Sequence, residues 1–208
     1  MSKYGYVGKE SDIPQQAFKS NAGVLSVNDH LALSQENKLT QFGQLELIET
    51  QTASNVNALD FTSIQESTYN VHFITVTNFS AVSSSTGGRL QLLESGVAKT
   101  TGYQFAYEQS DNGTFTEQKS TNGSSMVSYD FDPVTPRNSY AYIYNAGDSS
   151  KYTFLTSQFT TFRNTAEIQT NFNSGVRDEL GSCDGFEFAT SGGNITEGVF
   201  SCYGIRYS

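Results

Sequence analysis

From about residue 45 onward, apolar side chains recur at every second position, and short clusters of Gly, Asn, Asp and Ser interrupt them at strand-like intervals. Such a chain can fold into little except short strands joined by tight turns. Tyr103, Phe105 and Tyr107 alternate with Gln104, Ala106 and Glu108, which gives one buried face and one wetted face. Tyr140, Tyr142 and Tyr144 alternate with Ala141 and Ile143, apolar enough on both sides for an interior strand. Across 69–77, Tyr69, Val71 and Phe73 share one face while His72, Ile74 and Val76 share the other. Further strands are expected at 45–50, 58–64, 88–94, 125–131, 151–163, 166–172, 183–190 and 198–207. Asp111-Asn112-Gly113, Asn122-Gly123, Ala146-Gly147-Asp148 and Ser191-Gly192-Gly193 supply turns whose glycines tolerate positive φ. In 151–163 the parity slips between Tyr152/Phe154 and Leu155/Phe159, which predicts a bulge near Phe154 or Leu155. About eleven short strands imply an antiparallel sandwich or barrel. No repeat of a length that would build a solenoid shaft is present.

Residues 1–50 lack this alternation and are expected to form a mostly extended N-terminal arm, with the sandwich domain spanning 51–208. Ser26-Val27-Asn28-Asp29 fits a capping box ahead of Leu31, Leu33 and Leu39, and predicts one short helix from Val27 to Glu36 that stops at Asn37. A helix this short needs another surface to stay folded. Leu25, Leu31, Leu33 and Leu39 are therefore the candidate anchoring residues.

Two passages carry a resemblance. Asp60-Phe61-Thr62-Ser63-Ile64-Gln65 runs into Tyr69-Asn70-Val71-His72-Phe73-Ile74, and Tyr203-Gly204-Ile205 lies close to Ser208. Together with Ser20-Asn21-Ala22-Gly23-Val24 and Gln44-Leu45-Glu46-Leu47-Ile48, they resemble virion structural proteins of tailed bacteriophages, especially fibre-type proteins of phages that infect marine cyanobacteria. In that group the first motif opens a sheet domain and the last closes it. Gln65 stands where those proteins often have Pro, and Cys202 where they usually have Leu. The resemblance implies an all-β, antiparallel, jelly-roll-like β-sandwich, a homo-oligomer that by analogy is a trimer, other virion proteins as partners, and assembly in a bacterial cytoplasm into the virion. It implies no enzymatic activity and no cofactor.

The formal net charge of −9, with 12 basic residues scattered singly, argues against nucleic acid, because phosphate binding needs clustered Lys and Arg. No apolar run approaches the roughly 20 residues of a membrane span. Nor is there the apolar core of a secretory signal, so synthesis in a cytosol is expected. Cys183 and Cys202 are too few for a disulfide scaffold or a zinc site. A hairpin about Ser191-Gly192-Gly193-Asn194 would bring them near enough for one bridge; otherwise they are two buried thiols.

His30 and His72 have no carboxylate-and-nucleophile company in sequence, and His72 reads as a packed strand residue. Polysaccharide cleavage would need paired acids, with Asp130/Asp132, Glu94/Glu108 or Asp178/Glu179 as candidates. Calcium would find hard oxygen ligands at Asp111-Asn112-Gly113 and Asp130-Phe131-Asp132, although both are ordinary turn formers and neither is assigned as a metal site. Recognition of a host surface glycan would use exposed rings, and with no Trp in the chain Tyr103 and Tyr107 are the candidate contacts.

Overall fold

The computed structural model describes residue 31, where Leu31 is helical and exposed, and residues 45–82, 87–129, 136–163 and 167–205. Leu45–Arg206 forms one compact unit. Its described residues build an antiparallel sandwich. The larger sheet holds β1 (Leu45–Val56), β3 (Val71–Ala81), β6 (Tyr103–Asp111), β7 (Thr114–Gly123), β9 (Arg137–Tyr144), β10 (Phe154–Phe162), β11 (Ile168–Arg177) and β13 (Ile195–Ile205). The smaller holds β2 (Ala58–Phe61), β4 (Gly88–Glu94), β5 (Val97–Ala98), β8 (Val127–Tyr129) and β12 (Gly185–Thr190).

Strand order identifies the sandwich as a jelly roll with an extension. The chain crosses between sheets at β1-β2-β3-β4 and again at β8-β9 and β12-β13, giving neighbours β1-β13-β3-β9 in one layer and β2-β12-β4-β8 in the other. Two interleaved four-stranded layers of this order are a jelly roll. The remaining strands lengthen one layer: β10 and β11 follow β9, and the β6-β7 hairpin continues the row to an edge with no further partner among the described strands. Asn112 and Gly113, with φ of 47° and 85°, close that hairpin in the two-residue turn expected of them.

The core fills the space between the jelly-roll layers. Phe61 stacks on Phe186 with centroids 4.6 Å apart, and Phe79, Phe188 and Phe200 form a second aromatic cluster at 4.9 to 5.9 Å. Each fully buried ring contributes about 1.5–3 kcal/mol from area removed from water. Two contacts tie the extension to the second layer. The Leu92 N–H donates to the Tyr103 hydroxyl at 2.9 Å, and β11 comes so close at Gly175 that a Cβ there would lie 2.0 Å from the Met126 carbonyl oxygen.

The two motif passages meet in space. β3 pairs with β13 so that Val71, His72 and Phe73 face Ile205, Gly204 and Tyr203. The Tyr69 ring lies directly on Gly204, where a Cβ would approach it to 2.4 Å. Gln65 has φ of 55°, which the ring of a proline forbids, so this turn differs from one that carries Pro.

Several expectations need correction. Residues 45–50 form the strand expected there, paired with β13 with a shift between Leu47 and Glu49, so the sheet takes in the last residues assigned to the arm. β12 and β13 lie in different layers, so no hairpin brings Cys183 to Cys202, and both are buried free thiols. β10 runs without a register shift against both neighbours and alternates without a break, with Phe154 outward and Leu155 and Phe159 inward. The shifts fall instead in the β1/β13, β13/β3, β3/β9 and β6/β7 pairs. Asn122-Gly123 is the end of β7, with Gly123 opposite Tyr103, and not a turn. The predicted arm helix, apart from Leu31, lies outside the described residues, as do Leu25, Leu33 and Leu39.

Candidate interaction face

Two rows of the outward surface of the larger sheet are apolar and aromatic, and the rows beside them carry mostly uncharged polar residues such as Thr50, Ser201, Thr75 and Gln158. Register aligns Leu47, Tyr203, Phe73 and Tyr142 in one row, and Leu45, Ile205, Val71, Tyr144, Phe154 and Val176 in the next. Phe73 centres a cluster of rings, 4.8 Å from Tyr142, 6.1 Å from Tyr203 and 6.3 Å from Tyr140. Leu47, Phe154, Phe162, Ile168 and Phe172 remain 46–62 % exposed. Among the described strand residues facing outward from β1 to β11, the one charge is Glu197 near the start of β13, bonded to Ser80. Aromatic enrichment with charge depletion is the composition of a protein–protein interface core.

Charge returns at the extension. There Phe172, Ala106, Glu108, Glu117 and Lys119 line an open depression of about 460 Å³. Glu108 and Glu117 sit directly opposite each other on β6 and β7, an arrangement that costs stability between like charges. A half-exposed ring flanked by carboxylates and one ammonium offers a stacking surface with hydrogen-bonding groups of both signs.

Tyr103 and Tyr107 do not provide that platform. Both point inward: Tyr103 is fully buried, with its phenol pushed up to about 12 by burial, and Tyr107 is 7 % exposed. Tyr103 is thus closed off from the surface, and Tyr107, although among the residues that line the depression, is nearly covered. Phe172 can present a ring there, and sequence reasoning missed it because alternation alone would turn Ile168 and Phe172 inward and Gln169, Asn171 and Asn173 outward. The structure has the opposite arrangement.

That inversion lines the inner face of β11 and β6 with buried amides. All four side-chain amide atoms of Asn171 and Asn173 lack hydrogen-bond partners, as does the Gln109 Oε1, whose Nε2 donates to Asp111 Oδ2 at 2.8 Å. Closer to the second layer, the 3 %-exposed Arg177 pairs with Glu94, which also accepts from Lys99 at 2.6 Å. Burial pushes the Glu94 carboxyl up, but its bonds from Lys99 and Arg177 prevail and hold it below its ordinary value. Arg177 Nη1 donates to the Cys183 sulfur at 3.1 Å, yet burial still raises that thiol above its ordinary value.

The other candidate groups are separated or engaged. Glu94 belongs to this inner ion pair while Glu108 faces outward, so the two do not converge. Glu179 pairs with Arg177 at 3.5 Å, whereas Asp178 accepts from Gln104 at 3.3 Å. Asp111 is held by Gln109 and stands 3.6 Å from Arg163. Asp130 and Asp132 lie outside the described residues. His72 is fully buried with Nε2 2.8 Å from the Ile64 carbonyl oxygen. Among the described residues no three His, Cys, Asp or Glu side chains cluster as metal ligands would. No family model, curated protein or solved structure matches the chain.

Proposed function

We propose that the protein is a non-enzymatic structural component of a tailed-phage virion, a short tail or capsid fibre or a decoration, held through its N-terminal arm and displayed as a jelly-roll sandwich. Its partners are other virion proteins and further copies of itself. The observation that carries this reading is the nearly charge-free face of the larger sheet with its two aromatic rows, a surface that a particle component buries on assembly. The jelly roll adds support by analogy, since viral coat proteins use it, as do lectins. The motif resemblance contributes the phage assignment. Mass spectrometry of purified particles, followed by particle imaging to place the added density, tests it. The reading expects stoichiometric presence on the outside of the particle and fails if the protein is made during infection but left in the lysate. Deleting residues 1–43 should abolish incorporation; full occupancy without them would rule out the arm as the anchor.

The depression around Phe172 favours a second role, binding of a host surface glycan. Phe172→Ala should then lose glycan-array signal and slow adsorption to cells, while Tyr107→Ala, at an inward position, should act through stability and not recognition.

A further inference from the structure

The two edges of the larger sheet are built differently. β1 carries a bulge between Leu47 and Glu49 and a positive φ at Asn55, both of which discourage pairing with another chain. β7 has neither. It pairs with β6 in unbroken register from Ser120 to Thr114, contains no proline, and leaves Phe115 64 % exposed. In a two-residue hairpin the pair that closes the turn, Asp111 and Thr114, exchanges backbone hydrogen bonds, and alternate residues follow suit. Phe115, Glu117 and Lys119 therefore aim their N–H and C=O groups at the outer edge.

We propose that this edge is where two copies of the chain join, with their β7 strands running antiparallel about a two-fold axis at Gln118. That register puts Glu117 of each copy opposite Lys119 of the other, twice, with about four main-chain hydrogen bonds between these pairs. Charge selects it among its neighbours. Centring the axis on Lys119 would face lysine with lysine, and centring it on Glu117 would face glutamate with glutamate. The contact also supplies what β7 lacks within one copy, because Glu117 faces only Glu108 there. A cation from the second copy offsets that like-charge pair. The contact is isologous and closes on two copies. It differs from the three-fold order implied by the motif resemblance, and it does not depend on the virion reading.

Sedimentation of the full-length protein and four charge states tests the proposal. The unaltered chain should be dimeric. Lys119→Glu alone and Glu117→Lys alone should each weaken association by roughly 10- to 100-fold, since every cross-copy pair becomes like-charged. The double exchange E117K/K119E should restore the dimer, and an equimolar mixture of the two single variants should form a heterodimer. Both residues are exposed strand positions, and circular dichroism of each variant checks folding. A monomeric or trimeric unaltered protein overturns the proposal. So does a dimer indifferent to the single changes, or one that the double exchange fails to recover.

Discussion

His72 shows how a residue can be polar, buried and still structural. Its ring packs edge-on to Tyr69 at 6.2 Å, and burial holds its pKa below 6.5 despite the bond to Ile64 and the pull of Glu66. The sign follows from proton counting. Between the depressed native value and 6.5 the unfolded chain binds the extra proton, so His72 contributes its full stability above pH 6.5 and loses it as the pH falls below that value. Thermal melts at pH 7.5 and pH 5.0 should show the unaltered protein losing more stability on acidification than His72→Gln, whose amide can still donate to Ile64 but cannot titrate. Equal losses in the two proteins would mean that His72 does not carry this sensitivity. Other residues owe their identity to backbone geometry alone. Gly204 is fixed by the Tyr69 ring above it, which explains physically why a Tyr-Gly-Ile triplet belongs at this point of β13.

β11 marks where strand-level reading of the sequence stopped working. Period-two patterning located eleven of the thirteen strands, because alternation and turn chemistry are local properties. It missed β7, whose residues are nearly all polar, and the two-residue β5. Alternation also gives a period without saying which face is buried. On β11 the buried face is Gln169, Asn171 and Asn173, with Ile168 and Phe172 outside, an arrangement set by pairing to β10 and β6 far away in sequence. Tyr103 and Tyr107 were misjudged as platforms for a related reason: a Tyr tip can end on a buried backbone N–H as readily as in water, as the Leu92 contact shows. An unpartnered buried amide costs about 1–3 kcal/mol. Asn171→Leu, which keeps the volume and removes both orphaned atoms, should therefore raise stability by about 1 kcal/mol and the melting temperature by about 2–4 °C. Differential scanning calorimetry would reveal it. A loss of stability would instead mean that the amides of β11 are satisfied and the inversion has its own compensation.

At the scale of the molecule, the jelly-roll order could not be read from local pattern, because its defining pairs join opposite ends of the chain. β1 lies beside β13 and β2 beside β12, so the sandwich closes only when the last strands arrive. The consequence for truncation is sharp. Starting the chain at Leu45 keeps the whole of β1, whereas starting at Gln51 strips Leu45 to Thr50 from β13 together with the hydroxyl bond from Tyr69 to Glu46. Losing that half-strand uncovers the backbone edge of β13 along Ser201 to Ile205 and the inward side of Cys202, which is fully buried in the core. At about 1 kcal/mol for each cross-strand pair and backbone bond that is lost, partly recovered by water, the shorter chain should be about 2–4 kcal/mol less stable. Urea titrations of the 45–208 and 51–208 chains measure that difference directly. The compact unit from Leu45 to Arg206 predicts cooperative unfolding for the longer one. If both unfold at the same urea concentration, β1 is an ornament on the sheet and the working sandwich begins at β2.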